Sequence, residues 1–394
     1  MMSDESERPL TGLRVVDLGQ VLASPYAGYL LGMLGADVVK VEPPEGDWLR
    51  KATPLAVTTQ NADKRTLGVD FRNPDAIEAV LRLVESADVF IEGFKPGTAA
   101  EMGLSWEAVS ARNPRIVYAS LSAYGDVGPY AGRPGFDHVV QAVSGIMAST
   151  GEPDGPATKV GAPFVDFGSG MLMAFAVLAG LRERDRTDKA VRIDVTMLDA
   201  ALMLNMGALA KVANSGRDPE RLGNNAFSGA VASGMYNCAG GTMIALAANK
   251  ASQLAKLCAL LDITDVLDLP GLDQLEPLSV TEARERIERA LQARPASEWE
   301  SLLSEHGIPA GHVRALSDVV RDGYPQQRGL LQQVASDEGT LLLPGSGIRI
   351  NGVMHGPHRT VGAIGADNDE VLAEIGFSDA EIAALRASGA VVGP

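Results

Sequence analysis

Apolar residues in the first part of the chain fall into short runs separated by amphipathic stretches of helical length. From Leu13 the sequence reads LRVVDL, a short buried strand. A helix follows it, with Ser24 as the expected N-cap, Pro25 at its first position and Gly35 just past its end. DVVKV (Asp37 to Val41) is the next strand, so the three elements form a βαβ unit whose strands must run parallel. Further strands are expected at TLGVD (Thr66 to Asp70), DVFIE (Asp88 to Glu92), RIVYASL (Arg115 to Leu121) and VRIDV (Val191 to Val195), with the helix DAIEAVLRLVESA after the first of these. The pattern predicts an α/β fold, a parallel sheet flanked by helices.

Beyond VRIDV a long apolar helix is expected from Met197 to about Val212, after which NSGRDPERLGNNAFSG breaks the pattern and reads as a linker. MYNCAGGTMIALAA has the alternation and central Gly-Gly of a hairpin. Lys250 to His306 is mostly helical in pattern, HVRALSDV resumes an extended segment, and a loop rich in Gly, Pro and His follows. The closing helix SDAEIAALRA opens on Ser378, with Asp379 and Glu381 at its positive end.

Length changes this picture by implying two domains, since 394 residues exceed what one core usually holds. Charge changes it more. Fifty acidic against 34 basic residues give −16, which argues against nucleic acid or an anionic membrane as partner, so an anionic ligand must be met by a local basic cluster. Cys238 and Cys258 are too few for a disulfide framework or zinc site, and the polar N-terminus MMSDESERPL has no apolar leader core; with no clean membrane span expected elsewhere, a reducing cytoplasm is the expected compartment. The five histidines make no metal motif, because Pro357 interrupts HGPH. The chain has no GxSxG elbow and no GxxxxGK[ST] loop. Glu42 could hold a nicotinamide ribose, but GQVLASPYAG stands where GxGxxG would be needed, which argues against a dehydrogenase reading.

Asp166 is the candidate for chemistry. It lies in GAPFVDFGSGMLMAFAVLAGL, at the mouth of an apolar helix and beside two glycines. As a cap its oxygens would accept the free N–H groups of the first turn, the commoner use of Asp at such a place. As a nucleophile it would attack an activated carbonyl and carry the acyl group as a mixed anhydride. The residues alone leave both readings open.

Motifs spread over nearly the whole chain resemble the family III CoA-transferases: GLRVVDLGQVLASPYAGYLLGMLGADVVKVEPPEGD, NADKRTLGVD, DVFIEGFKPG, SAYGDVGPYAGRPGFDHVVQAVSG, GAPFVDFGSG, RIDVTMLDA and GIPAGHV. The same fold houses α-methylacyl-CoA racemases. The resemblance implies that Asp166 is the acyl-carrying nucleophile, cycling through an aspartyl anhydride and an aspartyl-CoA thioester. Racemases carry a His before the Asp of GHD, whereas this chain has Phe136 there, and it has Asn249 and Lys250 where they place a second acid; both departures favour transfer.

For CoA the resemblance points to Gln20, Val21 and Ala23, to Asn61, Lys64 and Arg65, and to Phe94 and Lys95. Two adjacent cations in an acidic protein suit a phosphate, although a solvated basic turn reads equally well from the residues. Gly93 replaces the family's usual Asn, and Phe136 and Asp137 are expected in the acyl pocket, with Tyr124 and Tyr130 as packing residues or substrate contacts.

The resemblance further implies a large Rossmann-like domain (1–213 with 330–394), a smaller α+β domain (229–315), linkers at 214–228 and 316–329, and an interlocked, ring-shaped homodimer. The expected substrates are a short acyl-CoA, succinyl-CoA or similar, and a small carboxylic acid, with no tightly bound cofactor. Isomerisation of an acyl-CoA, or CoA binding without catalysis, are the alternative functions.

Overall fold

A computed structural model describes residues 8–336 and 339–394. Six strands, β1 (Arg14–Leu18), β2 (Asp37–Glu42), β3 (Arg65–Gly68), β4 (Val89–Glu92), β5 (Val117–Ser122) and β6 (Val191–Thr196), form one parallel sheet in the order β3-β2-β1-β4-β5-β6. This is the doubly wound order, in which the chain reverses direction across the sheet between β1 and β4. Alternate side chains enter opposite cores. Val15, Val89, Ile91, Val117 and Ala119 pack with helices Ala23–Met33 and Phe164–Thr187 on one face. Val16, Val39, Phe90 and Tyr118 pack on the other with helix Pro74–Glu85 and with the last two helices, Asn368–Glu374 and Asp379–Ala387.

Those last helices bring the end of the chain back to the edge strand. Thr66 N–H donates to Asp367 Oδ2 (2.7 Å), Gly68 N–H to Asn368 Oδ1 (2.9 Å), and Val392 N–H to the Gly68 carbonyl (2.9 Å). Ser378 caps its helix reciprocally with Glu381, as the sequence predicts.

Residues 1–146, 159–217 and 325–394 cluster as one compact unit, and 147–158 with 218–324 as a second. The segment 147–158, which the sequence reading leaves in the first domain, is tied within the second: Gly223 N–H donates to the Gly151 carbonyl (3.0 Å). The second unit contains an antiparallel sheet of Ser233–Asn237, Met243–Ala247 and Ala310–His312, the first two forming the expected hairpin, with helices Ala251–Leu260, Pro277–Leu291 and Ala296–Glu305.

Four local expectations are corrected. Ser24 is the second residue of helix Ala23–Met33, whose N-cap is Leu22 without a side-chain bond. The helix expected from Met197 to Val212 is broken at Asn205 into Met197–Leu204 and Met206–Ser215. Within HVRALSDV only His312 lies in a strand, and Leu316–Arg321 is helical. Finally, Phe164–Thr187 is long and apolar enough to cross a membrane, contrary to the expectation that no segment is. One side of it, with Val165, Met173, Val177 and Leu181, is packed into the core described above.

Candidate functional site

Ligands of open parallel sheets bind outside the carboxyl ends of the strands where the winding reverses. Here the loops after β1 and β4 meet at a cavity of about 490 Å³. Gln20, Val21 and Leu22 line it from the first loop, Ala23 and Ser24 from the helix start that follows, and Gly93, Phe94 and Lys95 from the second loop, with Trp48, Tyr124, Arg133, Phe136 and Asp166 completing much of the wall.

The β1 loop is strained at this point. Val21 has φ of 66°, a left-handed conformation that a β-branched residue rarely adopts. Buried Asp47 holds it there by accepting the Val21 N–H at 2.7 Å and the Leu49 N–H at 2.9 Å. Gly93 is explained by packing, since a Cβ at that position would overlap the Ser24 hydroxyl. An Asn side chain in its place would collide with the start of helix Ala23–Met33.

Asp166 is the third residue of helix Phe164–Thr187, which has Pro163 at its N-cap and no side-chain cap of its own. The free N–H groups of that end are taken by a different residue. Asp137 Oδ2 accepts Val165 N–H at 2.7 Å and Asp166 N–H at 3.1 Å. Its Oδ1 accepts from Gln141 Nε2 at 2.6 Å, and Gln141 Oε1 accepts Val160 N–H at 2.9 Å. Asp137 is therefore a buried anchor and not a residue lining the acyl cavity, which corrects the sequence expectation.

The Asp166 carboxylate accepts no hydrogen bond among the described residues, although it is 9% exposed. Burial first, and the neighbouring Asp137 charge second, push its pKa up to about 7. A buried, unbonded carboxylate on the wall of a cavity fits a nucleophile better than a cap. Gly170, one turn on, lets this helix approach helix Ala23–Met33, because a Cβ there would overlap the Ala23 carbonyl oxygen. Phe136, standing where a racemase His would be, is 56% exposed at the cavity.

The NADKR segment does not reach the cavity. Lys64 is 1% exposed and donates to Asp17 Oδ2 (2.6 Å), the Pro25 carbonyl (2.7 Å) and Asn61 Oδ1 (2.8 Å). Burial pulls its ammonium down to about 8, against the Asp17 charge that holds it up. Asn61 spends its amide on the Val57 carbonyl. Arg65 forks onto Asp37 and Glu374 and also meets Glu370. All three side chains act as internal struts and stand apart from the cavity that Asp166 lines.

The cations that do line the cavity are Lys95 and Arg133. Arg133, missed by the sequence reading, lies 4.9 Å from the Tyr130 ring centroid, and Tyr130 packs on Tyr124 at 5.7 Å. The signal for it was weak, one Arg in a glycine-rich loop. A second cavity of about 160 Å³ adjoins the same Phe94–Pro96 loop and is acidic, with Glu92, Glu107, Asp126 and Asp194 on its wall. Lys95 and Arg192 stand on the same wall, and burial pushes Glu92 up to about 7. Among the described residues no group of three or more His, Cys, Asp or Glu side chains could hold a metal.

A buried carboxylate on the wall of a cavity at the strand-order reversal of a doubly wound domain is an arrangement that suits acyl-group or CoA chemistry. The model of CoA-transferase family III matches residues 10–368, and the chain belongs to that family. It is similar to the succinate–glutarate CoA-transferase of Agrobacterium fabrum, at 32% identity over 86% of this chain and 89% of that protein. The mouse succinyl-CoA:glutarate CoA-transferase is 30% identical over 98% of this chain and 91% of that one. A solved CAIB/BAIF family protein from Brucella suis superposes with a TM-score of 0.83 at 30% identity, covering 93% of this chain and 99% of the other.

Proposed function

We propose that this CoA-transferase moves CoA from a short acyl-CoA, succinyl-CoA or a similar thioester, to a small carboxylic acid through covalent states of Asp166. The observation that carries the reading is the unbonded Asp166 carboxylate on the wall of the cavity at the β1/β4 crevice. Its oxygen attacks the thioester carbon and expels CoA thiolate, giving an aspartyl anhydride. The thiolate then attacks the Asp166 carbonyl carbon and releases the donor acid, leaving an aspartyl-CoA thioester. The acceptor carboxylate attacks that thioester, forms a second anhydride, and leaves as acyl-CoA when the returning thiolate attacks its carbonyl. Thioester and anhydride lie close in energy, so the cycle runs in either direction.

Gln20, Val21, Ala23, Phe94 and Lys95 would flank the CoA, with Lys95 and Arg133 supplying local positive charge in a chain of net charge −16. Phe136 would line the acyl end; a phenyl ring moves no proton, which favours transfer over racemisation. Support for a homodimer, interlocked in the manner the family resemblance implies, comes from apolar side chains left exposed on neighbouring helices: Met171, Phe175, Leu178, Met203, Leu204 and Met206. A reducing cytoplasm suits the two free buried thiols.

Incubation with succinyl-CoA followed by hydroxylamine is expected to inactivate the protein with hydroxamate at Asp166. Full transfer activity in Asp166→Ala would remove the covalent role. Exchange of the α-hydrogen with solvent deuterium in the absence of any acceptor acid would replace transfer by racemisation.

A further inference from the structure

We infer that Asp137 is a positioning residue for the nucleophile: it occupies the N-terminus of the Asp166 helix so that Asp166 is released from capping, and its fixed negative charge destabilises the Asp166 carboxylate until that carboxylate attacks. The inference rests on the CoA-transfer reading for its consequence and on geometry for its substance.

A helix of 24 residues presents free N–H groups and a partial positive charge at its start, and an Asp within its first turn is ordinarily drawn into satisfying them. In this chain those donors are already engaged by a carboxylate arriving from another helix, Asp137–Val143. Asp137 is in turn fixed by Gln141, which also holds the Val160 N–H just before the Asp166 helix. Both oxygens of Asp137 are occupied, whereas the carboxylate of Asp166, a residue of the cavity wall, accepts no hydrogen bond among the described residues.

The electrostatic consequence follows from the same arrangement. Two carboxylates share one buried helix end, and like charges in such a place oppose joint ionisation. Nucleophilic attack converts the Asp166 carboxylate to a neutral acyl group. The repulsion is therefore present in the ground state and relieved as the anhydride forms, which lowers the barrier to that step. The elements packed against the Asp166 helix carry Asp137 and His138 (helix Asp137–Val143), Tyr26 and Tyr29 (helix Ala23–Met33), Asp199 (helix Met197–Leu204), Tyr118 (β5), and Arg192 and Asp194 (β6), while Lys95 and Arg133 line the same cavity as Asp166. Among these charges it is Asp137 that raises Asp166, after burial itself.

The test is Asp137→Asn, which keeps a hydrogen-bond acceptor for the helix end and removes the charge, beside Asp137→Ala, which removes both. The acid limb of the succinyl-CoA half-reaction should move down by roughly one pH unit in Asp137→Asn, a tenfold change in proton concentration. The Asp166 carboxyl resonance, assigned by difference against Asp166→Asn, should move with it. In Asp137→Ala, kcat should fall on the order of a hundredfold with the KM for succinyl-CoA little changed. If the Asp137→Asn profile and the Asp166 titration both overlay the wild type, or if kcat and KM in both variants merely follow lost stability, the inference is overturned. Should wild-type protein form no adduct with any acyl-CoA, the CoA-transfer reading fails, while the Asp166 titration still decides what Asp137 does.

Discussion

Lys64→Met separates a phosphate ligand from a buried strut. In the folded chain the Lys64 ammonium is fully enclosed, and its three acceptors at 2.6–2.8 Å include Asp17, which is 0% exposed. Gly28 leaves the space for this pair, since a Cβ there would come within 2.6 Å of Asp17 Oδ2. Met fills most of the lysine's volume but leaves Asp17 with one surviving bond, from Gly19 N–H at 2.7 Å. Breaking a buried pair by removing one partner costs about 3–5 kcal/mol. Total stabilities are roughly 5–15 kcal/mol, so the loss is a large fraction of what holds the fold. Urea unfolding should show a correspondingly lower midpoint with unchanged slope. Asp17→Leu combined with Lys64→Met should recover most of the loss, because an apolar pair of similar volume carries no stranded charge. The KM for succinyl-CoA in the folded fraction should stay near the wild-type value. A variant as stable as wild type whose KM rises tenfold would refute this reasoning and return Lys64 to the CoA site.

Two further outcomes are expected. Asp166→Asn should abolish transfer yet be more stable than wild type above pH 7: between 3.8 and about 7 the folded carboxyl holds a proton that the unfolded one has lost, so wild-type stability falls as pH rises through that window, by up to roughly 4 kcal/mol. The advantage should vanish toward pH 4, and equal urea midpoints for the two proteins at pH 8 would contradict it. Gly170→Ala forces the Asp166 helix away from the Ala23 carbonyl and should destabilise by about 1–3 kcal/mol, with kcat down on the order of a hundredfold if the nucleophile moves by about 1 Å; unchanged kcat and unfolding midpoint would show that the close approach of the two helices is dispensable.

The strands of the parallel sheet were legible because each is a short apolar run between helical patterns, and Ser378 was legible because a capping box is a local device. Asp166 was legible as a candidate through its place at the mouth of an apolar run, and the proposal that it is a nucleophile came only from family motifs. Several residues that escaped the sequence are set by distant partners. Arg65 looked like a phosphate ligand, yet its acids lie at Asp37 and, about three hundred residues on, at Glu370 and Glu374. Asp137 looked like a pocket residue because nothing near it in sequence reveals the helix end that it meets 28 residues later. Ser24 matched the N-cap pattern, but its hydroxyl packs over Gly93 and the helix starts before it.

The return of the final residues to β3 has a bearing on how the chain is made. The outer edge of the sheet is completed by Asp367, Asn368, Ala390 and Val392, so during synthesis a ribosome exposes β3 long before it delivers the segment that covers it. Until then the strand carries a row of unsatisfied amides open to pairing with other nascent chains. Closure of so long a loop is slow relative to local folding. Chaperone dependence in this protein should therefore concentrate on the interval between emergence of residue 68 and arrival of residues 367–392.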